Sequence, residues 1–298
     1  MEYLSVSEIA KQWKISERSV RHYAHSGRIE GAILEHKKWK IPVTANKPSR
    51  LNESKAHKRT LLAVLQNEKS TAIKGGIYHK IQIDLTYNSN HIEGSTLTHE
   101  QTRYIFETNT IGVDNTGVNV DDIVETANHF IAINFIIDHA TKKLSESFIK
   151  ELHQILKNGT SDARKTWFNV GAYKLLPNEV GGKPTTPPEQ VHTTMSKLLQ
   201  KYNTKRQPTF ENIIDFHYEF ECIHPFQDGN GRVGRLIMFK ELLKNNHTPF
   251  IISDDLKLFY YRGLSNWETE RGYLLDTTRA AQDRFKTYLD YYRISYND

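Results

Sequence analysis

Between residues 210 and 245 the sequence places HPFQDGNGRVGR, residues 224–235, between two stretches of helically spaced apolar residues. One is FENIIDFHYEFECI; the other runs through Val233, Leu236, Ile237, Leu242 and Leu243. Apolar residues at this spacing bury one face of a helix. The chain must therefore pack helices around a loop dense in glycine and charge, and that density suggests a phosphate site.

The rest of the body reads as helix. LLAVLQNEKSTAIKGG and YHKIQIDLTYNSNHIEG are two amphipathic stretches, the second stopping at Gly94. THEQTRYIFET opens on Thr98 with Gln101 three residues on, a capping box. The helical period continues through VDDIVETANHFIAINFIIDHA, SESFIKELHQILKNG and VHTTMSKLLQKYN. Residues 160–190 break it with Gly171, Pro177, Gly181, Gly182, Pro184, Pro187 and Pro188, and the glycine pair suits a short hairpin. No stretch approaches eighteen uninterrupted apolar residues, so no membrane span is expected. The start has no signal-peptide pattern, and the single cysteine, Cys222, excludes an internal disulfide, so the expected compartment is the cytoplasm.

Residues 1–60 carry thirteen basic against six acidic residues, a net +7 that leaves −2 for the rest of a chain whose total is +5. A basic head on a slightly acidic body points to a polyanion partner for the head. SVSEIAKQW and ERSVRHYAHSG read as two short helices around a three-residue turn, with Ile9, Ala10, Trp13, Val20, Tyr23 and Ala24 inward and Gly27 as the stop. RIEGAILEHKKWKIP alternates like a basic hairpin through Ile33, Trp39 and Ile41. This is the outline of a winged helix-turn-helix over residues 1–45. It resembles excisionase-like and MerR-like DNA-binding heads, with Arg18, Arg21, Lys37 and Lys38 as the candidate DNA contacts. Residues 46–58 have the polar composition of a linker, and the helical body takes 59–298.

Gly229, Asn230 and Gly231 fall at a helix N-terminus, where free N–H groups and the helix dipole favour an anion. Arg232 and Arg235 are three apart, so both project from the first turn, and each can chelate phosphate oxygens. Asp228 beside phosphates suits a Mg²⁺ ligand. His224 is the neighbouring side chain able to act as a base near neutral pH. The set fits phosphoryl or nucleotidyl transfer.

The segment also resembles the Fic family signature HPFx[DE]GN[GK]RxxR and matches it at every specified position. The resemblance implies a mainly α fold, a Fic-type helical bundle with a short β-hairpin flap, and transfer of AMP from ATP to a protein Ser, Thr or Tyr hydroxyl, self-modification included. It implies that His224 deprotonates the hydroxyl, Asp228 holds Mg²⁺, and Gly229, Asn230 and Gly231 line the anion hole. Arg232 and Arg235 would then hold the β- and γ-phosphates while Phe226 packs beneath the nucleotide loop. GAYKLLPNEVGGKPTTPPEQV is similar to the family's flap, about residues 171–190, with Lys174 where arginine is frequent. LFYYRGLSNW is similar to the region that closes over the adenine, which makes Tyr260, Tyr261 and Asn266 candidates, with core packing the competing reading for the tyrosines. A homodimer is the assembly toward which the resemblance leans.

SNHIEG, residues 89–94, resembles the family's inhibitory pattern [ST]xxxE[GN]. The implied inhibitory helix spans about 77–94, with Glu93 pairing with Arg235 in the γ-phosphate position, Ser89 one turn earlier and Gly94 ending the helix. Two alternatives stay open in the sequence: Glu93 as a base that drives AMP removal, and a DNA-binding regulator whose body senses ATP.

Overall fold

Several helices of this chain begin on a reciprocal cap. Ser5 Oγ accepts from the Glu8 N–H while a Glu8 carboxylate oxygen accepts from the Ser5 N–H at 2.8 Å. Thr98 and Gln101, and Thr209 and Asn212, repeat the arrangement. Each box satisfies donors that a helix start would otherwise leave unpaired.

The computed structural model describes residues 3–25, 27–35, 38–48, 60–112 and 117–296. The chain divides into two units, Met1–Lys58 and Arg59–Asp298. In the first, β1 (Tyr3–Ser5) leads into α1 (Val6–Trp13), then α2 (Glu17–His25), β2 (Ile33–Glu35) and β3 (Lys38–Pro42). Lys14, at φ 52°, ends α1 and turns the chain into α2. The strands form an antiparallel sheet in the order β1-β3-β2, with Leu4 opposite Ile41 and Leu34 opposite Trp39. Val6, Ile9, Ala10, Trp13, Val20, Ala24, Ile29 and Ile41 make the core of this unit. Two details depart from the sequence reading. The strand β1 was not expected, because three residues show no period; and Ile33 faces outward, 43% exposed. Lys37 lies outside the described residues.

The second unit contains α3 (Leu61–Thr71), α4 (Ile77–Ile92), α5 (His99–Thr108), α6 (Val120–Asp138) and α7 (Glu146–Lys157). A hairpin follows, β4 (Glu179–Val180) and β5 (Lys183–Pro184), turning at Gly181 and Gly182. Then come α8 (Pro188–Asn203), α9 (Phe210–Ile223), α10 (Asn230–Lys244), α11 (Lys257–Ser265) and α12 (Gly272–Tyr291). The single helix expected over residues 61–76 is shorter, because Ala72 takes φ 52° and stops it before AIKGG.

Helix α10 is the axis of this unit. Thirteen of its fifteen residues are buried, so it is covered on every side, by α3, α4, α6, α7 and α9 among others. Helix α4 buries Ile77, Ile81, Leu85 and Ile92 and also polar groups. Thr86 Oγ1 lies 2.9 Å from His129 Nδ1, and Asn90 Nδ2 donates to Thr126 Oγ1 at 3.2 Å. Buried polar contacts of this kind fix a helix in one rotation about its axis, which places Ser89 and the residue after Ile92 against α10. Among the described residues no helix is long and apolar enough to cross a membrane.

Candidate active site

Helix α9 ends where His224 adopts φ 49°, its N–H donating to the Phe220 carbonyl at 3.0 Å. A left-handed non-glycine residue is uncommon and frequently marks a site. Five residues later Gly229, at φ 81°, opens α10. Asn230 locks the loop between them: its Oδ1 accepts from the Phe226 N–H at 2.8 Å and its Nδ2 donates to the Phe226 carbonyl at 2.9 Å. Phe226 is wholly buried and stacks on His153, ring centroids 3.9 Å apart and planes within 3°. Phe226 thus packs into the core beneath the loop.

His153 holds the loop from the other side. Its Nδ1 accepts from the Gly171 N–H at 3.0 Å, which leaves Nε2 to donate to the Asp228 carbonyl at 3.2 Å. Burial pushes its pKa down to about 4, so the ring is neutral at pH 7. The segment before the hairpin is strapped to the same loop. The Lys174 N–H donates to the Pro225 carbonyl at 2.9 Å, and its ammonium donates to Asn178 Oδ1 and Thr185 Oγ1, each at 2.6 Å. Asn178 Nδ2 donates to the Phe226 carbonyl at 3.0 Å. The two hairpin strands themselves are exposed, as a docking edge requires.

The charged residues divide into two groups around the start of α10. In one, Lys157, 2% exposed, donates to Glu125, Asp162 and Asp228 at 2.6, 2.8 and 2.7 Å. Arg232 pairs with the same Glu125 and, at 3.2 Å, with Asp228. Burial works against the Asp228 anion, but Arg232 and Lys157 outweigh it and hold its pKa down to about 2. Asp228 therefore stays ionised, with about half of its side chain open to solvent. One exposed, ionised carboxylate next to a phosphate cradle fits a Mg²⁺ site completed by substrate oxygens; among the described residues no cluster of three ligands would hold a metal alone.

In the other group Arg235, 4% exposed, donates from Nε to Ser89 Oγ at 3.1 Å and through NH2 to the Ser89 carbonyl at 2.9 Å and Glu93 Oε1 at 2.7 Å. Glu93 is the C-cap of α4, and Gly94 follows at φ 98°. Gly231 is what permits the approach: a Cβ there would stand 2.4 Å from Glu93 Oε1.

His224, Asp228, Gly229, Asn230, Gly231, Arg232, Arg235, Ser89, Glu93 and Gly94 thus gather around one helix start. Tyr261 donates to the Ile92 carbonyl at 3.4 Å, beside the end of α4. Tyr260 is a core side chain, 1% exposed, its hydroxyl 2.6 Å from His217 Nε2. Asn266 caps α11, its Nδ2 donating to the Arg262 carbonyl at 2.8 Å. Arg18, Arg21 and Lys38 are exposed on the first unit. Lys157, Glu125, Asp162 and His153 were not foreseen. A lysine in the last turn of α7 reads as an ordinary partner for the helix dipole. Replacing Lys157 with methionine removes the cation shared by three carboxylates, leaving Arg232 to hold Glu125 and Asp228 and Lys165 to hold Asp162, and should cost about 3 kcal/mol of unfolding free energy, the low end for removing one partner of a buried ion pair. Urea titration checks this; a loss below 1 kcal/mol would mean that solvent already screens the cluster.

Residues 143–242, from the start of α7 almost to the end of α10, match the Fic/DOC family. The chain contains a Fic/DOC domain. Two curated relatives, each called protein adenylyltransferase Fic, are similar to it. The Drosophila grimshawi protein is 28% identical over 210 residues, 68% of this chain and 39% of that protein. The Drosophila erecta protein is 28% identical over 243 residues, 78% of this chain and 46% of that protein. This chain therefore spans less than half the length of either. Among solved structures, a Fic domain containing signaling protein from Bacteroides thetaiotaomicron is 27% identical with a TM-score of 0.57, covering 77% of this chain and 90% of that one. Fic-1 from C. elegans is 22% identical with a TM-score of 0.62, covering 78% and 71%, a likeness of fold. The bundle around α10 is thus the fold of the Fic/DOC domain.

Proposed function

We propose that this chain transfers AMP from ATP to a Ser, Thr or Tyr hydroxyl of a protein, itself included. The observation that carries this reading is a neutral histidine, His224, followed after five residues by a helix N-terminus flanked by two buried guanidiniums. Burial pushes the His224 pKa down to about 4, so it is a free base at neutral pH. His224 takes the hydroxyl proton as the oxygen attacks the α-phosphorus; the bond to the β-phosphate oxygen breaks and pyrophosphate leaves. The N–H groups of Gly229, Asn230 and Gly231 face the phosphate oxygens, and Arg232 and Arg235 hold the β- and γ-phosphates. Mg²⁺ bound at Asp228 would supply neutralising charge on those oxygens. The naming of the Drosophila relatives as adenylyltransferases supports the substrate.

Glu93 acts as a brake in this reading. It occupies Arg235, so the γ-phosphate has no clamp and the α-phosphate does not line up with the attacking oxygen. Intact-mass measurement of the Glu93→Gly protein after incubation with Mg-ATP tests the activity. The expected result is the mass of an added adenylyl group with release of pyrophosphate; addition of a phosphoryl group instead would overturn the reading.

For the first unit we propose DNA binding. Its sequence is strongly basic, and Arg18, Arg21 and Lys38 are exposed, Arg21 beside Glu17 at 2.6 Å. Binding to duplex DNA should weaken steeply with salt. Arg18→Ala should reduce the slope of log Kd against log salt by about one, the signature of one lost phosphate contact. An unchanged slope and affinity for Arg18→Ala and Arg21→Ala together would contradict this.

A further inference from the structure

We propose that Glu221 is a positioning residue for His224, its carboxyl accepting a hydrogen bond from His224 Nδ1–H so that Nε2 is left as the proton acceptor. The inference rests on the reading of His224 as the base.

Glu221 stands one turn before His224 on α9 and is only 12% exposed. Its Oε2 lies 4.0 Å from His224 Nδ1, and its Oε1 lies 3.9 Å from His217 Nδ1. Glu221 Oε1, His217 Nδ1 and His224 Nδ1 are all buried, and none has a side-chain partner at hydrogen-bond distance; the backbone of Glu221 faces the His224 ring and that of Gly234 the His217 ring, so the Glu221 carboxyl competes there with main-chain acceptors. Buried polar atoms are rarely left unpaired, and three at one spot point to a shared network. Both gaps exceed hydrogen-bond length by about 1 Å, a distance that small rotations of the Glu221 side chain and the two rings close. The space is reserved for these groups by Gly234 on α10, where a Cβ would stand 2.4 Å from Glu221 Oε1 and 3.0 Å from the His217 ring.

The hydrogen count of the network closes if the carboxyl is neutral. His217 Nε2–H then donates to the Tyr260 oxygen, 2.6 Å away. His217 Nδ1 accepts from the Glu221 O–H, and the other Glu221 oxygen accepts from His224 Nδ1–H. A protonated carboxyl has this one donor and spare acceptor capacity. The groups facing Glu221 are His217, His224 and Cys222 around α9, Arg235 from α10, Glu93 at the end of α4, and Tyr260 and Tyr261 from α11. Burial dominates among their effects, Arg235 opposing it and Glu93 adding to it, and the pKa of Glu221 is pushed up to about 8. The acid is therefore largely neutral at pH 7. Glutamine reproduces a neutral carboxyl with its amide donor and carbonyl acceptor; leucine does not.

The test uses the full chain carrying Glu93→Gly, with ¹⁵N-histidine labelling. The His224 signal is assigned by its loss in His224→Ala. The ring nitrogen shifts report the tautomer whether or not the protein turns over. The expected spectrum of the parent shows His224 as the Nδ1–H tautomer, and Glu221→Gln keeps both that tautomer and the transfer rate. Glu221→Leu is expected to mix in the Nε2–H form and to lower AMP transfer roughly tenfold, the scale of losing the partner that orients a histidine. An Nε2–H tautomer in the parent overturns the proposal without any change at Glu221. So does a folded Glu221→Leu that keeps the parent's tautomer and rate, or a Glu221→Gln that loses as much as the leucine. If no variant transfers AMP but the leucine shifts the tautomer, the adenylyl-transfer reading fails while the positioning role of Glu221 stands.

Discussion

Replacing Glu93 with glycine raises AMP transfer about tenfold to a hundredfold. The estimate follows from what the γ-phosphate has to displace. Arg235 NH2 donates to Glu93 Oε1 at 2.7 Å inside the protein. A hydrogen bond between charged groups contributes about 1.5–3 kcal/mol, and each 1.4 kcal/mol is a factor of ten. Glycine leaves the clamp oriented, because Ser89 still accepts from Arg235 Nε and NH2. The helix end tolerates the change, since residue 93 has ordinary φ of −87°. The same substitution removes a partner from a buried guanidinium, so stability should fall by about 1–3 kcal/mol while activity rises. Rates of adenylyl incorporation and urea midpoints on the same samples check both signs. A rise in stability, or an unchanged rate, would mean that Glu93 does not compete with substrate.

In the Glu93→Gly background, His224→Ala lowers transfer by about 10²–10⁴-fold, the range for a lost general base. ATP affinity should stay unchanged, because the phosphates meet the start of α10 and the arginines. Alanine at φ 49° carries a backbone cost on the order of 1 kcal/mol. His224→Asn, which tolerates that conformation, separates the missing base from a strained loop. Because burial holds the His224 pKa at about 4, the imidazole is neutral throughout pH 5–8. Transfer should be level over that range and fall as the pH drops through about 4, where the ring gains a proton. A fall centred near 6.5 would place His224 in water instead.

Much of the site is legible in the sequence because its parts are local. The glycines and arginines of residues 229–235 sit within two helix turns of each other, and periodicity on both sides fixes where that helix starts. Ser89 and Glu93 are also local, one turn apart at a helix end. What they meet, Arg235, is 142 residues from Glu93 and came into the reading through the family resemblance. The network around Lys157 has no comparable signal. Its members come from α6, α7, the turn after it and the loop between α9 and α10, and each alone looks like a solvated charge. His217 illustrates the same limit: on a helical wheel it is a packing residue. Only the structure shows Gly234 opposite it, with Glu221 and Tyr260 on either side. In the first unit, a serine cap for α1 is legible as Ser5 or Ser7 and the structure uses Ser5, whereas the pairing of Tyr3–Ser5 with β3 is a long-range choice that three residues cannot encode.

The central claim is that α-phosphate transfer is built into residues 224–235 and withheld by Glu93. It is tested most directly by incubating wild type, Glu93→Gly and Glu93→Gly/His224→Ala with Mg-ATP labelled either at the α- or at the γ-phosphate. The account predicts protein-bound label from the α-position only, strong in Glu93→Gly, weak in wild type and lost with His224. Label from the γ-position, or equal α-label in wild type and Glu93→Gly, would contradict it.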